Sequence, residues 1–176
     1  YYCTIEGNVV LDQQFLDQVE ARMHQMVEAD LPINKKSVNT DDAIATFARY
    51  GMHDKEKLFA YRRVSKVNIY SINEFEDYYY GYMVPSTGYL KYFKLYLYDD
   101  GFVLQMPEQK EPEIVPPFEP QNKLFHVLKE STSWGDMQGI ETVGALNDRI
   151  TKGDVRETVL VQEALQEKKI AEIAAT

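Results

Sequence analysis

The sequence predicts an α+β fold, an antiparallel sheet with packed helices followed by a helical connector. Three observations predict it. Within residues 64–106, Val67 and Ile69 and then Phe93, Leu95 and Leu97 alternate with polar or tyrosine residues at a period of two, as half-buried strands do. A strongly striped segment, Phe15, Leu16, Val19, Met23, Met26 and Val27, precedes it with helical spacing. After Pro120 the pattern is helical to the end, and the intervening residues 107–120 are rich in Pro and Glu.

Taken in order, Tyr1 to Ile5 reads as the end of a strand closed by Glu6-Gly7-Asn8. Asp12 is a suitable N-cap for a helix reaching about Ala29, which Leu31-Pro32 stops. Ile33 to Val38 is a short strand. Thr40 can cap a second helix, Asp41 to Tyr50, with Gly51 as its left-handed terminator. Val67, Ile69 and Ile72 begin the strand-rich part, and Asp77 to Tyr82 is a tyrosine-rich segment. Were that segment a strand, Tyr78, Tyr80 and Tyr82 would share one face and Tyr79 the other. On Lys91 to Tyr98, Phe93, Leu95 and Leu97 lie opposite Tyr92, Lys94, Tyr96 and Tyr98. Asp99-Asp100-Gly101 turns the chain, and Phe102, Leu104 and Met106 return, a β-hairpin. Helices are expected over about 121–133, 141–151 and 156–175. The organisation is therefore a domain over 1–107, a Pro/Glu-rich linker over 108–120, and a helical connector over 121–176. Both ends interrupt a regular pattern, so the expectation is a piece of a longer protein.

Composition narrows the function. The 176 residues carry a formal net charge of -9, which repels phosphate backbones, and Lys35-Lys36 and Arg62-Arg63 are only pairs; both speak against nucleic acid as a partner. Cys3 stands alone, so no internal disulfide can form and a reducing, cytoplasmic setting is expected. No apolar run approaches the ~18 residues of a membrane span. The 13 tyrosines against one tryptophan imply many half-buried rings whose hydroxyls need partners.

Chemical motifs are sparse. Neither a P-loop nor GxGxxG occurs. His24, His53 and His126 are isolated from any second His or Cys at ligand spacing, so no metal, cofactor or catalytic residue is expected within this chain. His24 reads as a boundary histidine on the first helix and His53 as a loop histidine after Gly51.

The most informative stretch is Asp77-Tyr78-Tyr79-Tyr80-Gly81-Tyr82-Met83-Val84-Pro85-Ser86-Thr87-Gly88. It resembles the D-L-C-x-G-P-H-V-P-S-T-G stretch of the editing domain (the second additional domain) of threonyl-tRNA synthetases, at the same spacing. Tyr1-Tyr2, the helix Leu16 to Asp30 with Leu31-Pro32, the helix Asp41 to Gly51, and Phe93-Lys94-Leu95 resemble its surroundings, so the likeness covers about residues 1–107. In that family the Cys and His join an upstream H-x-x-x-H helix to hold a metal and move protons. Here those positions are Tyr79 and Met83, a phenol and a thioether that are poor zinc ligands. The resemblance thus implies a vestigial pocket at Tyr79, Met83, Tyr78, Gly81 and Ser86, plugged by the bulk of Tyr79 and Met83, with no editing hydrolysis. Pro85-Ser86-Thr87-Gly88 is expected to be a turn with Gly88 at positive φ.

A second resemblance covers nearly the whole chain. Tyr78-Tyr79-Tyr80-Gly81, Pro85 to Tyr89 and the tail Val161 to Ala174 are similar to bacterial uridine kinase-like proteins. Those place a degenerate editing-like domain ahead of a P-loop kinase. The resemblance implies a parent that phosphorylates uridine with ATP and magnesium after residue 176. The present chain would then be a catalytically silent structural or regulatory module that orients the kinase domain of the same chain, or self-associates. The alternative expectation is a module that binds a nucleotide, an aminoacyl-adenosine or a tRNA 3′ end in what is left of the pocket.

Overall fold

A computed structural model describes residues 1–5 and 7–175. Glu6 of the expected first turn and Thr176 lie outside the described residues. The elements run β1 (Tyr2–Cys3), α1 (Gln13–Glu28), β2 (Asn34–Asn39), α2 (Thr40–Arg49), α3 (His53–Ala60), β3 (Lys66–Ile72), β4 (Phe75–Tyr78), β5 (Lys94–Tyr98), β6 (Gly101–Gln105), α4 (Asn122–Met137), α5 (Val143–Lys152) and α6 (Val155–Ala174), with a 3-10 turn at Thr87–Tyr89. The fold is α+β, with two three-stranded sheets ordered β1-β6-β5 and β2-β3-β4. The pairings β1–β6, β3–β4 and β5–β6 are antiparallel.

The chain forms two compact units, each discontinuous in sequence. One comprises Tyr1–Lys36 and Asn68–Pro120, the other Ser37–Val67 and Gln121–Thr176. These bounds cut across the contiguous ranges 1–107, 108–120 and 121–176, and they fall inside β2 and β3.

In the first unit, Asp12 caps α1 as expected, its carboxylate accepting from the Phe15 amide at 2.7 Å. The apolar stripe of α1 buries Leu16, and Ile33, Ile69, Tyr70, Phe93, Leu95 and Val103 complete this core. The β5–β6 hairpin forms with Asp99 at φ 53 in its two-residue turn. On β6 it is Val103 that is buried, while Phe102 and Leu104 are half-buried and Met106 is exposed. Gly101 is dictated by packing, because a Cβ there would lie 2.2 Å from the Cys3 carbonyl oxygen of β1. The residues expected to be a linker are partly tied down: Phe118 stacks on Tyr96 at 5.5 Å and meets Tyr98 edge-on at 5.3 Å.

In the second unit, Phe47 of α2 and Phe59 of α3 are fully buried, with ring centroids 5.0 Å apart. Gly144 lets α5 close on α3, since a Cβ would meet the Cβ of Lys57 at 2.8 Å and the Leu58 amide nitrogen at 2.9 Å. Two local expectations are corrected. Thr40 does not cap α2; it is the first residue of the helix, and its buried hydroxyl donates to the Val64 carbonyl instead. His53 is not in a loop; it opens α3, a helix too short and too polar to show a periodic stripe, and its ring meets Glu56 at 3.1 Å. Gly51, at φ 71, has the expected left-handed conformation after α2. No helix among the described residues is long and apolar enough to cross a membrane.

Candidate functional site

The segment Asp77–Gly88 lies wholly within the first unit, and the structure divides its residues into two groups. The first group is aromatic. Strand β4 ends at Tyr78, so Tyr78, Tyr80 and Tyr82 do not line one strand face as the alternation suggested. The reason is local: the Tyr70 hydroxyl, from β3, donates to the Gly81 carbonyl at 2.8 Å and bends the chain off the sheet. Tyr79 meets Tyr80 with ring centroids 5.3 Å apart and approaches Tyr70 edge-on at 6.4 Å. At this bend the Tyr79 ring lies close over Gly81, where a Cβ would come within 2.9 Å of the ring and push it aside. Beside them the Lys35 ammonium sits 4.8 Å from the Tyr82 ring centroid and 5.8 Å from that of Tyr70. Tyr80 is 82% exposed and Tyr82 91%. Tyr78 is half-buried, its amide held by the Asp77 side chain at 2.6 Å.

Tyr79 and Met83, the residues expected to fill the pocket, are 42% and 41% exposed. A bulky ring can fill a cavity only where the backbone keeps the strand path that aims it inward. Here the chain leaves that path one residue before Tyr79.

The second group is the Pro-Ser-Thr-Gly turn, docked on the end of α1. Thr87 is buried; its hydroxyl donates to the Met26 carbonyl at 2.5 Å and accepts from the Leu31 amide at 2.8 Å. Backbone bonds Thr87 N to Leu31 O (2.9 Å) and Ile33 N to Pro85 O (2.8 Å) clamp the same crossing. Asp30, at φ 47, turns its carboxylate onto the turn, accepting from the Ser86 hydroxyl and from the Gly88 amide at 3.0 Å. Gly88 does not adopt positive φ as expected. It is glycine because a Cβ would sit 2.2 Å from Asp30 Oδ1. Ser86 is therefore brought to Asp30, while Tyr78, Tyr79 and Gly81 gather with Tyr70 in the aromatic group.

His24 was legible only as a boundary residue; its ring stacks on Phe93 at 4.4 Å. Sequence reasoning missed Lys35, Tyr70 and Asp30, and the one signal available was the Lys35-Lys36 pair. Among the described residues no group of three or more His, Cys, Asp or Glu side chains is placed to hold a metal ion. One ion pair with a chemical consequence lies outside the segment. Glu20 of α1 accepts from Lys94 at 2.6 Å and from the Leu95 amide at 2.8 Å, and the hydrogen bond to Glu20 holds the Lys94 ammonium above the usual lysine value.

The chain is similar in sequence to threonine–tRNA ligases. It is 37% identical over 95 residues to the Syntrophotalea carbinolica enzyme, covering 54% of this chain and 14% of that protein. Against threonine–tRNA ligase 1 of Bacillus subtilis it is 38% identical over 96 residues, covering 54% and 15%. Against the Acidithiobacillus ferrooxidans enzyme it is 38% identical over 81 residues, covering 46% and 13%. The matched stretch is thus a small part of each relative. No family model matches the chain. About half of this chain is a threonyl-tRNA-synthetase-like region.

Proposed function

We propose that this chain is a non-hydrolytic binding module for a nucleotide end: a free nucleotide, an aminoacyl-adenosine, or the 3′ end of a tRNA. The observation that carries the reading is two exposed rings: Tyr80, packed on Tyr79 and through it on Tyr70, and Tyr82, whose ring meets the Lys35 ammonium. Aromatic faces stack on any base, at about 1–3 kcal/mol each, and a neighbouring ammonium supplies a phosphate partner. The charge of -9 disfavours contact with a long phosphate backbone, so an RNA would be held only by its terminal nucleotide. The likeness to threonine–tRNA ligases agrees with an RNA end as the class of ligand. Hydrolysis is left out of the reading because Tyr79 and Met83 are poor metal ligands. A cytoplasmic location, with Cys3 reduced, belongs to the same reading.

A second reading keeps the module silent within a uridine kinase-like parent, with ATP and magnesium used by a kinase domain of the same chain. What favours it is that Ser86, Thr87 and Asp30 use their polar atoms on one another and on α1. Calorimetric titration with adenosine, AMP and a seryl-adenosine analogue separates the two. Saturable binding that weakens by about 5- to 150-fold in Tyr80→Ala or Tyr82→Ala is expected. Lys35→Ala should weaken AMP more than adenosine. Absence of saturable binding up to millimolar ligand refutes the binding reading and leaves the silent one.

A further inference from the structure

We infer that the first unit carries a second ligand site, distinct from the two exposed tyrosines, for a primary amine bearing a compact apolar group. An apolar cleft of about 240 Å³ opens between α1 and the β5–β6 hairpin, lined by Met23, Met26, Val27, Leu90, Phe93 and Leu104 among others. Its one hydroxyl-bearing wall residue that is buried, Thr87, already donates to Met26 and accepts from Leu31. Thr87 therefore has no proton left to donate to a guest hydroxyl and only one lone pair to offer it, so a hydroxyl entering the cleft is poorly compensated for its desolvation at that wall. Methionine walls adapt their shape to a guest. A cavity of ~150 Å³ admits a single aromatic ring, so this cleft suits one ring or one branched aliphatic group.

The rest of the ligand is set by what lies at the mouth. Val27 and Tyr92 line both this cleft and a wider polar trough, whose other walls include Glu28, Asp30, Glu113 and Lys91. Three carboxylates against one lysine give the trough a negative bias that favours a cationic head. Asp30 is partly committed to Ser86 and Gly88, so Glu28 and Glu113 are the groups that would face the ammonium. Apolar tail and cationic head together specify the amine.

The test is methionine-methyl NMR of the full chain, with leucinamide as the probe. Saturable shifts of the Met23 and Met26 methyls are expected. Threoninamide, of similar size but hydroxylated, should bind about 10- to 100-fold more weakly. 4-Methylpentanamide, which lacks the amine, and the Glu28→Gln, Glu113→Gln double variant should each weaken binding severalfold. Both glutamates lie on the rim, so the variant leaves the core unaltered. Unshifted Met23 and Met26 methyls at millimolar leucinamide would overturn the inference, as would equal affinity for threoninamide. Equal affinity for the des-amino probe would overturn the charged half of it. The assigned ring signals of Tyr80 and Tyr82, recorded in parallel aromatic spectra, report on the first site separately.

Discussion

Replacing Thr87 by valine isolates the polar role of the Pro-Ser-Thr-Gly turn, because the two side chains have nearly the same shape. The substitution removes the bond to the Met26 carbonyl and the bond from the Leu31 amide. Each hydrogen bond contributes about 1 kcal/mol net, and a buried amide left without a partner costs about 1–3 kcal/mol. The carbonyl of Met26 lies in the last turn of α1, where helix carbonyls already lack intrahelical donors. Together these give a loss of about 2–4 kcal/mol. With a urea m-value of about 2 kcal/mol/M, the unfolding midpoint should fall by about 1–2 M. Site resolution comes from amide exchange: the Leu31 amide, freed from its acceptor, should exchange at least tenfold faster in the variant. Thr87→Ser keeps the oxygen and should cost only about 1 kcal/mol, mainly for the lost methyl. If Thr87→Val unfolds at the wild-type midpoint with Leu31 exchange unchanged, the turn is not held by this hydroxyl and the reasoning fails.

Gly101→Ala should push β1 off β6, because the new methyl would collide with the backbone oxygen of Cys3; the thiol of Cys3 should then react faster with a disulfide reagent. Gly144→Ala should loosen α5 from α3 and cost about 1–3 kcal/mol, since its close neighbours include the Leu58 backbone; thermal unfolding measures this. The Lys94–Glu20 pair makes stability fall on the alkaline side. A lysine raised in the folded state contributes fully below its unfolded value of 10.5, and that contribution fades as pH climbs through the higher folded value. Lys94 is half exposed, so the effect should stay below about 1 kcal/mol. Comparing denaturation of wild type and Lys94→Met from pH 8 to pH 11.5 should show the two curves converging as the wild type loses its pair.

What the sequence made legible was whatever depends on local periodicity and caps. Asp12 announces α1 through a side chain that bonds its own helix, and Gly51 ends α2 through a conformation glycine adopts readily. The β5–β6 hairpin is equally local. By contrast, Thr40 looks like a cap because threonine often is one, yet its hydroxyl goes to Val64, 24 residues away. Gly88 looks like a left-handed turn residue, yet its lack of a side chain serves Asp30, 58 residues earlier. The tyrosine run looks like a continued strand, yet Tyr70 bends it through Gly81. The first two errors have one form: a residue suited to a nearby role is used by a distant partner, outside any local window; the third is a side-chain hydroxyl bonding a backbone carbonyl nearby, which leaves no periodic signal.

The same distinction governs how far the likeness to the synthetases reaches. The Pro-Ser-Thr-Gly turn is fully accounted for by its docking on α1, with Thr87 on Met26 and Leu31 and Asp30 on Ser86 and Gly88. It therefore speaks for the scaffold, and a chain could retain it with no chemistry at all. The positions that would carry chemistry, Tyr79 and Met83, lie apart from that clamp, on backbone that has already left the sheet, and both are open to solvent. A substitution there costs the fold little, because neither side chain closes a core. Scaffold and exposed aromatic segment are thus mechanically separable in this unit: the clamp holds the turn without using Tyr79 or Met83. On the proposed binding reading, ligand preference would be written in Tyr80, Tyr82 and Lys35, whose side chains are exposed.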